Sequence, residues 1–163
     1  MKSGDMKEGE YRSHLYFRAE KNNQPLGQEN KVIDTTTISI KLEAVFGISI
    51  ACIIRKGVST AEASISHVAY TEDKEGNAFL NLNLNRTGNM SVYGDFSVVY
   101  QKDNKAVEVA KIKGVAVYTP GLLRKVKLKL DKTEQQNFSG GSFKIIYTQN
   151  ESKKILAETE WKM

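Results

Sequence analysis

The sequence TTISIKLEAVFGISIACII, residues 36–54, largely determines which class of fold this chain can adopt. Its apolar residues first alternate, at Ile38, Ile40 and Leu42, and then run almost continuously to Ile54. A repeat of two places successive apolar side chains on one face of a β-strand. At about 3.3 Å per residue a single strand of this length reaches roughly 60 Å, which is longer than a small sandwich needs. We therefore predict one long strand that bends or passes from one sheet to another.

The rest of the chain is a regular series of strand and turn signals without helical periodicity. Seven strand candidates follow residue 58, at residues 60–70, 79–84, 91–100, 107–118, 122–130, 142–149 and 155–162. About seven short strands in about 100 residues are typical of an immunoglobulin-like β-sandwich. Only one strand candidate, residues 11–19, precedes the long strand, and a polar segment joins the two. The N-terminal part is therefore predicted to be a fragment of a sheet.

Charge gives little sign of a polyanionic partner. The net charge of +5, from 24 basic and 19 acidic residues, is not concentrated in one half of the chain. The densest basic run holds Lys125, Lys127 and Lys129, which alternate with apolar residues and so share the outward face of one strand. Because no aromatic residues are interleaved with them, a solvated face and a guarded sheet edge are favoured over a nucleic-acid platform. We expect no nucleic-acid partner.

The longest apolar run also argues against membrane insertion. It covers residues 44–54, about half of the ~20 residues that a helical span requires. Residues 1–10 are charged and lack the apolar centre of a secretory signal, so export would have to be encoded upstream. The single cysteine, Cys52, excludes an internal disulfide and is most simply a small packed hydrophobe.

The residues needed for catalysis do not form a recognisable pattern. The two histidines, His14 and His67, lie far apart in strand candidates, and metal-ligand spacings are absent. No glycine-rich loop opens a helix, and Cys52 has no evident base partner. We expect neither an enzyme nor a bound metal or cofactor.

One polar cluster occupies a predicted turn of the second half. We expect Arg86 and Asp95 to form a cross-strand pair there, with Gly88 and Gly94 permitting unusual backbone angles. A ligand or partner contact at this end of the sandwich is the alternative.

Several segments carry a family resemblance. They are GEYRSHLYFRA (9–19), FGISI (46–50), IIR (53–55), LNRTGN (84–89), SVYGD (91–95), GVAVYTP (114–120) and LAE (156–158). In these segments the chain resembles the periplasmic pilus-assembly chaperones of bacteria, in a divergent PapD-like branch, over nearly its whole length.

The resemblance implies two immunoglobulin-like domains. Residues 1–58 would be a partial N-terminal domain, of which residues 11–19 and 36–54 are the last two strands, and residues 59–163 would be a complete C-terminal domain. The early strands of the first domain are missing from this sequence. A periplasmic location with a signal peptide upstream is also implied.

The resemblance further implies a binding mode. A pilus subunit is a sandwich without its final strand, and the chaperone's long strand adds its edge there and fills the open core. Ile38, Ile40, Leu42 and Ala44 are in phase to supply the apolar side chains. The partner would be an exported subunit; the alternative is that these residues are buried in their own domain.

Members of this family also bind the carboxylate at the C-terminus of the subunit with two basic residues. Where the resemblance places a lysine late in the long strand, this chain has residues 50–52, Ile-Ala-Cys. Arg55 and Lys56 are the nearest cations and can pair with a carboxylate, or they can be linker charges. A structural or interaction module of a cell-envelope protein, without chaperone activity, is thus the alternative function. A long apolar edge also predicts a homodimer through this strand.

Overall fold

The protein is all-β. The computed structural model describes residues 6–20, 44–131 and 138–163, and these residues form strands and turns without a helix. The nine strands are β1 (Gly9–Arg18), β2 (Gly47–Lys56), β3 (Glu62–Glu72), β4 (Ala78–Thr87), β5 (Val92–Lys102), β6 (Lys105–Val117), β7 (Leu123–Leu130), β8 (Ser142–Gln149) and β9 (Ile155–Lys162). Within the described ranges no helix has the length and apolar character needed to cross a membrane.

The chain divides into two compact units. One comprises Ile54–Met163 together with the N-terminal segment that ends at Tyr11, and the other is Arg12–Ile53. The larger unit contains all seven strands from β3 to β9, the number predicted for the second half of the chain.

The larger unit is built from two antiparallel sheets with a shared core. β4 lies between β3 and β7 in a three-stranded sheet, and a four-stranded sheet has the order β6-β5-β8-β9. Buried side chains from both sheets form a single hydrophobic cluster. Its largest members are Tyr147, Phe96, Phe138, Phe143, Leu80, Leu82, Leu84, Leu128, Leu130 and Ile145. This arrangement is that of a β-sandwich.

Alternation in β4 explains why this strand is central. Leu80, Leu82 and Leu84 are buried, while the asparagines between them face outward and are partly exposed. β7 has the same alternation, with Leu128 and Leu130 buried and the lysines exposed. Both patterns confirm the faces expected from a repeat of two.

The turn from β4 to β5 differs from the sequence expectation. Arg86 is buried, and it binds backbone carbonyl oxygens instead of Asp95 because β4 and β5 belong to different sheets. Its Nε donates to Gly121 at 2.9 Å, and its Nη1 donates to Gly88 and Met90 at 2.8 Å each and to Thr87 at 3.4 Å.

The two glycines of this segment serve different purposes. Gly88 has a φ of +78°, as expected, and a Cβ there would come within 2.1 Å of the carbonyl oxygen of Thr60. Gly94 has no such φ; a Cβ there would lie 2.4 Å from the carbonyl oxygen of Thr148 on the neighbouring strand. Gly94 is therefore required for close approach and not for an unusual backbone angle.

β1 and β2 form a separate two-stranded sheet. Of the strand predicted over residues 36–54, residues 36–43 lie outside the described residues and stay a prediction. β2 runs from Gly47 past Ile54 to Lys56, and residues 44–46 are not in a strand. The ladder ends there because its partner β1 ends at Arg18, although the Ala19 N–H still donates to the Phe46 carbonyl at 3.0 Å.

Candidate partner-binding site

The residues predicted to enter a partner lie mostly beyond the described structure. Ile38, Ile40 and Leu42 fall in the range 21–43, outside the described residues, so their role stays a prediction. Ala44 is described: it is exposed and lies three residues before β2.

The register of the two-stranded sheet follows from one backbone bond. The Ala19 N–H donates to the Phe46 carbonyl, which makes these two residues directly opposite in an antiparallel ladder. Counting along both strands from this pair places Leu15 opposite Ile50. A strand's side chains alternate between faces, so the register assigns each residue to one side of the sheet.

One side of this sheet is apolar and exposed, and we call it the ribbon face. It consists of Leu15 and Phe17 of β1, Ile48 and Ile50 of β2, and Phe46 just before β2. The exposed fraction of these side chains ranges from 51% for Ile50 to 79% for Phe46. Monomeric proteins rarely leave so many adjacent large apolar side chains in water.

The opposite side of the sheet is more polar. It carries Arg12, His14, Tyr16 and Arg18 of β1, with Ser49, Ala51 and Ile53 of β2, so its exposed apolar side chains are Tyr16 and Ile53. A two-stranded ribbon is marginally stable by itself, and three or more strands or a packed layer are needed for independent stability. The ribbon face therefore has the composition of the inner face of a sandwich with no second layer among the described residues.

The edges of the ribbon matter as well as its face. In the described part of the chain β2 pairs only with β1, so its second edge has no neighbouring strand. Such an edge presents backbone N–H and C=O groups that an added strand can bind. Within Arg12–Ile53 the geometry thus suits strand addition.

Of the two cations predicted to bind a carboxylate, Arg55 already contacts one from its own chain. Its Nε donates to Oε2 of Glu10 at 3.0 Å. The side chain of Arg55 is 58% exposed, whereas that of Glu10 is completely buried. The Nη atoms of Arg55 make no hydrogen bond to any described residue, so this guanidinium retains donors for a second acceptor.

Lys56 is held by the start of the chain. Its Nζ donates to the carbonyl oxygen of Met6 at 2.7 Å, and the side chain is partly buried. Arg55 and Lys56 thus both contact the N-terminal segment. The sequence did not predict these contacts, because the two cations lie far from that segment along the chain.

Glu10 is the residue that sequence reasoning missed. Its carboxylate accepts hydrogen bonds from the Ser91 hydroxyl, from the Ser91 N–H at 3.4 Å and from the Thr119 hydroxyl at 3.4 Å. Its own N–H donates to the Asn89 carbonyl at 3.0 Å. No local signal reveals such a cluster, because 81 and 109 residues separate Glu10 from Ser91 and Thr119.

The described residues offer little for metal chemistry. They contain no group of three or more His, Cys, Asp or Glu side chains placed to hold a metal ion. Cys52 is a half-buried free thiol in β2.

Comparison with known proteins adds no identification. No protein-family model matches the sequence, and no curated protein matches it. A solved structure that matches is DesR, a β-glucosidase from Streptomyces venezuelae in complex with D-glucose, at 11% identity and a TM-score of 0.43. The match covers 66% of this chain and 16% of that one, so this chain spans a small part of the glucosidase. A likeness at this level carries no argument about fold or activity.

Proposed function

We propose that the chain is a periplasmic chaperone-like binding protein that presents an apolar strand edge to exported subunits of the pilus or fimbrial type. Its larger unit would be an immunoglobulin-like domain, residues 59–163, and residues 1–58 would be the last two strands of a second such domain in a PapD-like protein. The observation that supports this proposal is the ribbon face: two paired strands with one exposed apolar side and an edge that no described strand covers.

Binding would proceed by strand addition. An incomplete subunit sandwich exposes an apolar groove, and the added strand supplies main-chain hydrogen bonds along its edge and alternating side chains for the pockets. In this chain the alternating side chains would be Ile38, Ile40, Leu42 and Ala44. The exposed strand β2 follows them in the chain, and among the described residues its second edge has no neighbouring strand, which is the edge that such binding uses.

Arg55 would provide the polar part of the contact. A carboxylate at the subunit's C-terminus would bind the Nη atoms of Arg55, with Lys56 adding positive charge nearby. Since Glu10 holds Nε, the guanidinium is oriented before a partner arrives. This binding needs no catalysis and no cofactor; we propose that the protein is not an enzyme and that an export signal lies upstream.

Crosslinking in the bacterial envelope tests this function. The full chain, exported in its host, would carry a photoreactive residue at position 40 or, as the matched control, at position 39 of opposite phase. We expect crosslinks from position 40 to a secreted subunit identified by mass spectrometry. Ile40→Asp would abolish recovery of that subunit, whereas Ser39→Asp would retain it. Equal recovery with both substitutions would contradict strand donation.

A second candidate is a structural or interaction module of a cell-envelope protein without chaperone activity. The Glu10–Arg55 ion pair favours it, because a cation needed for an external carboxylate already has an internal one. In that case Arg55→Gln would weaken the folded state without changing subunit recovery. If the protein is a chaperone, the Arg55→Gln variant would remain folded and would recover less subunit.

A further inference from the structure

The outer side of the three-stranded sheet in the larger unit has a composition unlike the rest of the surface. We call it the amide–lysine face, and it consists of Asn81, Asn83 and Asn85 on β4 and Lys125, Lys127 and Lys129 on β7. The two columns are adjacent, since Asn81 pairs with Lys127 and Asn83 pairs with Lys125. Alternate residues of a strand are about 7 Å apart, so each column is an evenly spaced row.

The positive charge of this face is not neutralised by ion pairs. All three lysines are exposed, and none forms a salt bridge with a described residue. The ammonium of Lys127 lies 3.9 Å from the centre of the Phe79 ring, and it interacts electrostatically with Asp73 at the end of the face.

The four-stranded sheet of the same unit is different. There Lys144 forms a salt bridge with Glu158 at 2.9 Å, and Glu108 accepts a hydrogen bond from Ser97 at 2.8 Å. The sequences of β4 and β7 contain no acidic residue at all. With no acidic residue on either strand, the amide–lysine face has a local positive field.

The asparagines supply free hydrogen-bonding groups beside the lysines. Asn81 donates from Nδ2 to the Thr71 hydroxyl at 2.9 Å, and Asn85 donates from Nδ2 to the Ser66 hydroxyl at 2.9 Å. These bonds orient the amides, and their oxygens accept nothing from a described residue. Asn83, between them, makes no side-chain hydrogen bond to the described part of the chain. Asparagine is depleted in strands, so three of them at successive outward positions of a central strand are unusual.

We propose that the amide–lysine face binds an acidic polysaccharide. The lysine row would contact successive carboxylates of the polymer, and the amides would exchange hydrogen bonds with the sugar hydroxyls between them. This is a binding site separate from the proposed strand donation, and it does not depend on it.

Two competing polymers fit the face less well. Nucleic acid bound without base pairing needs aromatic rings on which bases stack, and Phe79, an aromatic residue of β4 on this face, is covered by Lys127. A protein partner would need an apolar centre, whereas most outward residues here are amides, hydroxyls and ammonium groups, and the apolar ones, Phe79 and Leu123, lie at opposite ends of the face.

Binding of sodium polygalacturonate to the full chain, measured by calorimetry at low and moderate salt, tests the proposal. The uncharged polymer dextran and a single-stranded DNA are the comparison ligands. The test variant is Lys125→Gln/Lys127→Gln/Lys129→Gln. The matched control is Lys105→Gln/Lys111→Gln/Lys113→Gln on β6, which removes the same charge elsewhere. A third variant, Asn83→Ala, keeps the charge and removes one amide.

We expect polygalacturonate to bind, dextran not to bind, and the β7 triple variant to lose affinity by about tenfold, because three exposed charge contacts are removed. The β6 triple variant would keep most of the affinity, and Asn83→Ala would weaken binding at both salt concentrations. No binding of polygalacturonate, an equal loss in both triple variants, or tighter binding of the DNA through the same lysines would each overturn the proposal.

Discussion

Arg55 and Glu10 are 45 residues apart in sequence, yet Nε of Arg55 donates to the carboxylate of Glu10 at 3.0 Å. One partner is more than half exposed and the other is fully buried. The ion pair therefore links β1 to β2. The carboxylate of Glu10 is shielded from water, whereas the guanidinium of Arg55 is accessible to it.

Neutralising Glu10 should loosen that attachment. We expect Glu10→Gln to lower the free energy of unfolding by about 1–3 kcal/mol, because the amide replaces one acceptor oxygen by a donor and faces the Ser91 and Thr119 hydroxyls. Urea unfolding followed by circular dichroism measures the change. Glu62→Gln, at an exposed position of β3, is the control and should be neutral. The same stability for both variants would show that the cluster contributes little.

Substitution of the buried Arg86 should strongly lower the free energy of unfolding. Arg86→Ala leaves the carbonyl oxygens of Gly121, Gly88 and Met90 without their donor, and we expect a loss of about 2–4 kcal/mol. Arg124→Ala is the matched control, since the exposed Arg124 donates to one described residue, the Ala116 carbonyl at 3.0 Å. Thermal unfolding compares the two. A larger effect at Arg124 would contradict this account.

Tyr147 should make the free energy of unfolding depend on pH in the alkaline range. Its hydroxyl is buried and donates to the Val115 carbonyl at 2.7 Å, and desolvation by burial raises the pKa of Tyr147 above its usual value of 10.0. Above about pH 10 the unfolded chain loses this proton while the folded chain keeps it, so the stability falls as the pH rises.

Tyr147→Phe separates the two effects. Near pH 8 the variant should be less stable by about 1–2 kcal/mol, because the Val115 carbonyl loses its donor. Near pH 11 the difference should shrink by about 1 kcal/mol, since the variant has no proton to lose at this position. Tyr70, whose pKa is raised to about 12 by desolvation and by its hydrogen bond to Glu72, titrates in both proteins and cancels. A constant difference across this range would argue against the linkage.

The ribbon face should cause self-association. We expect the full chain to form a concentration-dependent dimer, and Ile50→Asp on the apolar side to shift it toward monomer. Ala51→Asp adds the same charge at the next position, on the opposite side of the sheet, and should have a smaller effect. Sedimentation equilibrium measures the association constant. A monomer at high concentration, or equal effects of both substitutions, would count against association through this face.

Local periodicity explains what the sequence could predict. The buried leucines of β4, the outward lysines of β7 and the limits of β8 and β9 follow from a repeat of two and from turn residues, which need no knowledge of distant contacts. The all-β class and the seven strands of the second half are confirmed for this reason.

Long-range pairing explains what the sequence could not predict. The end of a strand depends on its partner, so the apolar run around residue 45 gave no sign that the ladder stops at Gly47. The expected Arg86–Asp95 pair was wrong because the two strands belong to different sheets. The immunoglobulin-like topology, the chaperone function and the roles of Ile38, Ile40 and Leu42 remain proposals.

The strict leucine–asparagine alternation of β4 makes this strand intolerant of a change in length. Loss of a single codon near Leu82 would invert the orientation of every side chain on one side of the deletion, sending amides into the interior and leucines into water. Because β4 is flanked by β3 and β7, neither neighbour could follow such a slip without breaking its own register. A family of natural variants should therefore contain insertions and deletions in the connecting turns and almost none between Ala78 and Arg86.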